Sequence, residues 1–151
     1  MTRLPGGPLS RPSGYPWLLP PPPLDVTTSA TVQNATALRR TFRRWAEALV
    51  ADDDANGLTL AVYEALANAA EHAFAAQQEQ GCMRLHATVV DGQITVTITD
   101  NGTWRPPAPF TGQRGRGIAL IHRLTPDARV EVDHRGTTVH IRHPLPLQHT
   151  A

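Results

Sequence analysis

The chain has 151 residues, 40% of them apolar, which is enough for the core of one domain and leaves little for a second. Its net charge of +1 argues against a general attraction to nucleic acid, and a single cysteine, Cys82, excludes a disulfide framework or a cysteine zinc cluster. All fourteen basic residues are arginine, so a P-loop lysine, a Schiff base and the strand lysine of protein kinases are excluded too.

Residues 1–23 hold eight of the fourteen prolines, including Pro20 to Pro23 in succession. Such a segment favours extended polyproline conformations and reads as a tail or linker; the alternative is an arm that docks Trp17, Leu18 and Leu19 on a neighbour. With prolines and glycines throughout, it lacks the continuous apolar stretch of a signal peptide. No run approaches the roughly 20 apolar residues of a membrane span, so a cytoplasmic location and no membrane contact are expected.

Residues 24–144 are expected to form the folded domain, followed by a short tail over 145–151. Leu24 to Ala30 reads as a short edge strand. Leu38, Phe42, Trp45, Ala46 and Leu49 recur at helical spacing and predict a helix over 32–51. Its basic face, Arg39, Arg40, Arg43 and Arg44, is either a solvated surface or a partner-docking one. The Asp52 to Gly57 cluster then ends this helix and prepares a second over 58–78.

That second helix is apolar nearly all round, as buried helices are, yet it carries Glu64, Asn68, Glu71 and His72. Positions four apart drift only about 40° per step, so Glu64, Asn68 and His72 form a slanted line on one side. Burying a carboxylate without a partner is costly. The line is therefore either a narrow solvated edge or a row facing a ligand.

Residues 82–90 and 93–99 alternate with a period of two around Asp91-Gly92 and read as a hairpin. Ile94, Val96 and Ile98 share one face, and continued alternation places Asp100 on that apolar side. Two readings stand: Asp100 opens an Asp-Asn-Gly turn, or it is an inward hydrogen-bond acceptor beside Gly102, which lets a flat ligand approach. The prolines of Arg105 to Pro109 argue against a tight return strand.

Gly112 to Ile121 runs glycines into an amphipathic helix over 117–124. The free backbone N–H groups and dipole of a helix start, with Arg114 and Arg116, suit an anion; a hinge is the plainer alternative. Strands over 128–133 and 137–142 close the domain across His134-Arg-Gly136, and Gly136-Thr-Thr138 opens the last of them. The order β-α-α-β-β-α-β-β predicts an α+β two-layer sandwich, with a mixed, mostly antiparallel sheet covered on one face by about three helices.

In this order, the four features resemble the GHKL superfamily of ATP-binding domains (the Bergerat-type fold) over residues 24–143. Glu64-x-x-x-Asn68-x-x-x-His72 is similar to its N box, Asp100-x-Gly102 to its first glycine box, Gly115-Arg-Gly117 to its second, and Gly136-Thr-Thr to its final strand motif. Ala61 to Ala73 and the compact Gly-Arg-Gly-Ile-Ala-Leu-Ile further resemble the small anti-sigma-factor serine/threonine kinases of bacteria.

The resemblance implies ATP and Mg²⁺ as cofactors. Glu64 would be the catalytic base, and Asn68 would coordinate the metal on the triphosphate. Asp100 would accept from the adenine amino group, Gly102 would allow close approach, and Thr137 would support the base. Arg114, Gly115, Arg116 and Gly117 would meet the phosphates, and His72 would lie in the nucleotide site without an assigned role. An anti-anti-sigma protein, a sigma factor and a second copy of the chain are the implied partners. One departure is the short, stiff lid from Thr103 to Arg114. It is similar to that of kinase modules fused to phosphatase regulators and favours an alternative function as a binding module without significant phosphotransfer.

Overall fold

The computed structural model describes residues 20–76, 81–102 and 116–146. In chain order the elements are β1 (Leu24–Ser29), α1 (Val32–Glu47), α2 (Asp52–Ala76), β2 (Cys82–Val90), β3 (Gln93–Asp100), α3 (Arg116–Leu124), β4 (Arg129–Asp133) and β5 (Gly136–Pro144). The strands form one sheet in the order β1-β2-β3-β5-β4, and every pairing is antiparallel. The α+β architecture is as expected, and the described sheet has no parallel pair.

The two faces of the sheet follow from the alternation. Met83, Leu85 and Ala87 on β2, Ile94, Val96 and Ile98 on β3, and Val139 and Ile141 on β5 are buried beneath the helices. The opposite face carries Arg84, Thr95, Thr97, His140 and Arg142, none of them buried. There Arg84 binds Asp25 through two hydrogen bonds of 2.8 and 2.7 Å, across the β1–β2 pairing.

The helices complete the core with Leu38, Phe42 and Trp45 of α1, Leu58, Val62 and Leu66 of α2, and Ile121 of α3. Each large apolar side chain so buried contributes about 1.5–3 kcal/mol. Thr31 caps α1 by accepting from the Asn34 amide at 3.1 Å, while Asn34 Nδ2 donates to the Ser29 carbonyl and fixes the entry from β1.

The helix boundaries correct the sequence expectation. α1 stops at Glu47, where the amides of Leu49 and Val50 both turn back to the Ala46 carbonyl. Asp52, Asp53 and Asp54 therefore form the first turn of α2, six residues before the expected start at 58. Three carboxylates at a helix N-terminus interact favourably with its dipole, which outweighs the weak helix propensity of Asp and of Gly57.

Half of the basic face of α1 has a structural role. Arg43 bonds Glu47 and Asn56 of α2, and the Arg39 guanidinium lies 5.1 Å from the ring centroid of Tyr63 on α2; Arg40 and Arg44 are exposed. In the first turn of α2, Asp54 lies 3.8 Å from His143 of β5. Pro22, ahead of β1, is anchored too, because the Trp45 indole N–H donates to its carbonyl at 2.9 Å. No helix among the described residues is long and apolar enough to cross a membrane.

Candidate functional site

On α2, Ala61, Val62, Ala65, Leu66, Ala69 and Ala70 are buried, whereas Glu64, Ala67 and Asn68 are half-buried and Leu60 and Glu71 are exposed. Glu64 and Asn68 thus stand one turn apart on a single open edge of an otherwise enclosed helix. Neither forms a hydrogen bond or ion pair with another described residue. His72 continues the line on the α2 backbone, but its side chain lies outside the described residues.

β3 runs beneath α2 and ends in Asp100. Its burial pattern alternates through to that residue, so Asp100 is enclosed on the helix-facing side with Ile94, Val96 and Ile98. The carboxylate is inward, and its Oδ1 also accepts from the Gly102 amide at 2.9 Å to close the Asp-Asn-Gly turn. Asn101 fastens this turn to β2. Its Oδ1 accepts from the Cys82 amide at 2.8 Å, and its own amide donates to the Cys82 carbonyl at 3.3 Å.

β5 pairs with β3 so that Thr137 stands opposite Asp100. Val139 and Ile141, of the same parity as Thr137, are buried against the helices, so Thr137 shares the inner face with Asp100. Between them the backbones come very close. Gly136 has φ +145°, and a Cβ there would lie 1.8 Å from the Asp100 carbonyl oxygen. The β4–β5 hairpin delivers Gly136 to this position through Asp133, whose Oδ1 accepts from the Arg135 and Gly136 amides at 2.7 and 3.2 Å.

Asn101 and Asp133 were not among the residues expected at the site, and Gly136 belonged to the Gly-Thr-Thr motif without an expected role of its own. The Gly before Thr-Thr was visible in the sequence, but its demand for space exists only because β5 lies beside β3. Asp100, Gly102 and Thr137 are brought together as expected. Arg116 and Gly117 open α3, which packs against α2, whereas Arg114 and Gly115 lie outside the described residues. The donor set suits a magnesium nucleotide: an enclosed carboxylate and a hydroxyl on one row for a base, and a carboxylate and an amide on a half-open edge for metal and acceptor.

A family model described as the histidine kinase-like ATPase domain matches residues 28–143. Among solved structures, the RsbU and RsbW domains of Rv1364c from Mycobacterium tuberculosis are similar at 29% identity and a TM-score of 0.66, covering 82% of this chain and 32% of that one. The histidine kinase domain of the blue-light activated histidine kinase EL346 from Erythrobacter litoralis matches at 31% identity and a TM-score of 0.51, over 61% of this chain and 45% of that one. The catalytic domain of the histidine kinase ThkA shares the fold at 13% identity and a TM-score of 0.50, over 81% of this chain and 97% of that one. The chain therefore spans about a third and under half of the length of the first two structures it matches.

Proposed function

Because the chain belongs to the family of histidine kinase-like ATPase domains, we propose that it is a Mg-ATP-dependent serine/threonine kinase of the anti-sigma-factor type. It would phosphorylate an anti-anti-sigma partner and sequester a sigma factor, in the cytoplasm and as a homodimer, without binding nucleic acid or membrane. The observation that carries the kinase reading is the pair Glu64 and Asn68, one turn apart on the open edge of an enclosed helix. A half-open edge keeps the carboxylate hydrated and within reach of a ligand, whereas full burial without a partner would be costly. The likeness to the RsbU and RsbW domains supports the anti-sigma assignment over a sensor kinase.

In this reading Asp100 and Thr137 hold the adenine, Gly102 lets it approach, and Asn68 holds the Mg²⁺. Arg114, Gly115, Arg116 and Gly117 receive the phosphates at the start of α3, and His72 borders the site. The bound nucleotide supplies the phosphoryl group to be transferred. Glu64 takes the proton from the acceptor hydroxyl, a step that needs position more than special reactivity. A short proline-rich segment between Thr103 and Arg114 favours a second reading, a nucleotide- or partner-binding module without phosphotransfer.

Isothermal titration with Mg-ATP, followed by transfer to a candidate acceptor, separates these readings. Glu64→Ala is expected to bind ATP and lose transfer, while Asp100→Asn loses binding. Wild-type protein that binds Mg-ATP but transfers nothing to any acceptor supports the binding module. A wild type that binds no Mg-ATP at millimolar concentration ends both nucleotide readings.

A further inference from the structure

Sheet register defines a transverse row at the site end of the inner face: Asp100 on β3 opposite Thr137 on β5, and Thr137 opposite Val132 on β4. Neighbouring strands lie about 4.8 Å apart, so the three side chains stand side by side. One pleat further along β4, Val130 packs against the core. Val132, on the same face, is 43% exposed. The outward set of β4 is Arg129, Glu131 and Asp133, and Glu131 lies 3.4 Å from His140 on the outer face. An isolated exposed valine needs no explanation; this one continues a row that otherwise carries the polar groups proposed for the base.

The chemistry of the row has an order: a carboxylate acceptor, a hydroxyl that can donate, and an apolar methyl pair. The hydrogen-bonding edge of adenine has the complementary order, with the 6-amino donor, the N1 acceptor and the C2–H. Guanine presents an acceptor, a donor and a 2-amino donor; it mismatches the carboxylate and the valine, while the Thr137 hydroxyl, which also accepts, tolerates its N1–H. We propose that Val132 is a specificity-determining residue for the base, covering C2 and rejecting purines that carry a 2-amino group. The inference rests on the nucleotide reading of the site. Its physical basis is that an amino group pressed against the valine methyls loses water and gains no acceptor.

The test is titration of the full chain with Mg-ATP and with the magnesium complex of 2-aminoadenosine triphosphate, which differs from ATP only at C2. Wild type is expected to bind the 2-amino nucleotide about ten-fold more weakly. Val132→Thr, nearly isosteric and at an exposed site, supplies a hydroxyl acceptor and is expected to narrow that ratio; Val132→Ala, which removes the covering methyls, should narrow it as well. Equal wild-type affinities for the two nucleotides would overturn the proposal, as would a ratio unchanged in both variants. A wild type that binds neither nucleotide gives a different result: the nucleotide reading itself fails, and the inference with it.

Discussion

Gly136 and Asp100 touch through their backbones so tightly that no other residue fits at 136. A Cβ there would lie 1.8 Å from the Asp100 carbonyl oxygen, 2.8 Å from its carbonyl carbon and 2.9 Å from the Asn101 Cα. The obstacles are backbone atoms, which cannot rotate away, and φ of +145° adds strain for any L side chain. Gly136→Ala is expected to lose about 2 kcal/mol or more in chemical denaturation. Because the displaced group is the Asp100 backbone, nucleotide binding should weaken with it. Wild-type stability and affinity in this variant would show that the two strands do not meet this way.

Thr59 of α2 is 2% exposed, and its hydroxyl has no hydrogen-bond partner among the described residues. An unpaired buried hydroxyl costs free energy that a methyl of similar shape does not. Thr59→Val is therefore expected to stabilise the protein by about 1 kcal/mol, seen as a higher midpoint in urea. A fall in stability would mean that the hydroxyl is satisfied in solution.

The Trp45 indole N–H, on a side chain only 8% exposed, donates to the Pro22 carbonyl. A chain starting at residue 20 retains that acceptor, and one starting at residue 24 does not. The shorter chain is expected to be about 1–2 kcal/mol less stable, with altered tryptophan fluorescence. Equal stability would restore the view of Pro20 to Pro23 as a dispensable linker.

Asp25 and Arg84 join β1 to β2 on the outer face. Hydrogen bonding by Arg84 is the main cause that holds the Asp25 carboxyl below its usual 3.8, and the same bond raises the guanidinium further. A carboxyl lowered in the folded state stabilises above its unfolded pKa, and that contribution disappears as pH falls through the lowered value. The gap in melting temperature between wild type and Asp25→Asn should be constant near neutrality, shrink below about pH 4, and close in stronger acid. A gap that widens with acidification would reverse the sign of the coupling.

The Asn101 side chain ties the turn after β3 to the Cys82 amide. Asn101→Ala is expected to cost about 1 kcal/mol and to weaken ATP binding several-fold through the misplacement of Asp100 and Gly102. Loss of stability with unchanged affinity would confine Asn101 to a structural role.

Much of this was legible in the chain itself. Period-two runs around Asp91-Gly92 located the central hairpin, and the apolar faces of α1 and α2 marked the core. The burial of Asp100 followed from continued alternation beyond Ile98, since a strand has no other way to orient its next side chain. Local sequence was a poorer guide to helix ends. Asp52 to Asp54 looked like a stop, but the same carboxylates favour a helix start, and the sequence alone does not say on which side of them the turn falls.

The pattern of apolar and polar residues by itself determined the class of fold, the inner face of each strand, and the alignment of Glu64 with Asn68, because periodicity is a local property. Only the tertiary structure decided what each residue meets across strands. The register β3–β5–β4 set Thr137 beside Asp100 and Val132 beside Thr137, pressed Gly136 onto the Asp100 carbonyl, and brought the Pro22 carbonyl to Trp45. These contacts join residues as much as 37 positions apart (137 − 100 = 37). Chain spacing carries no record of such neighbours until the sheet forms.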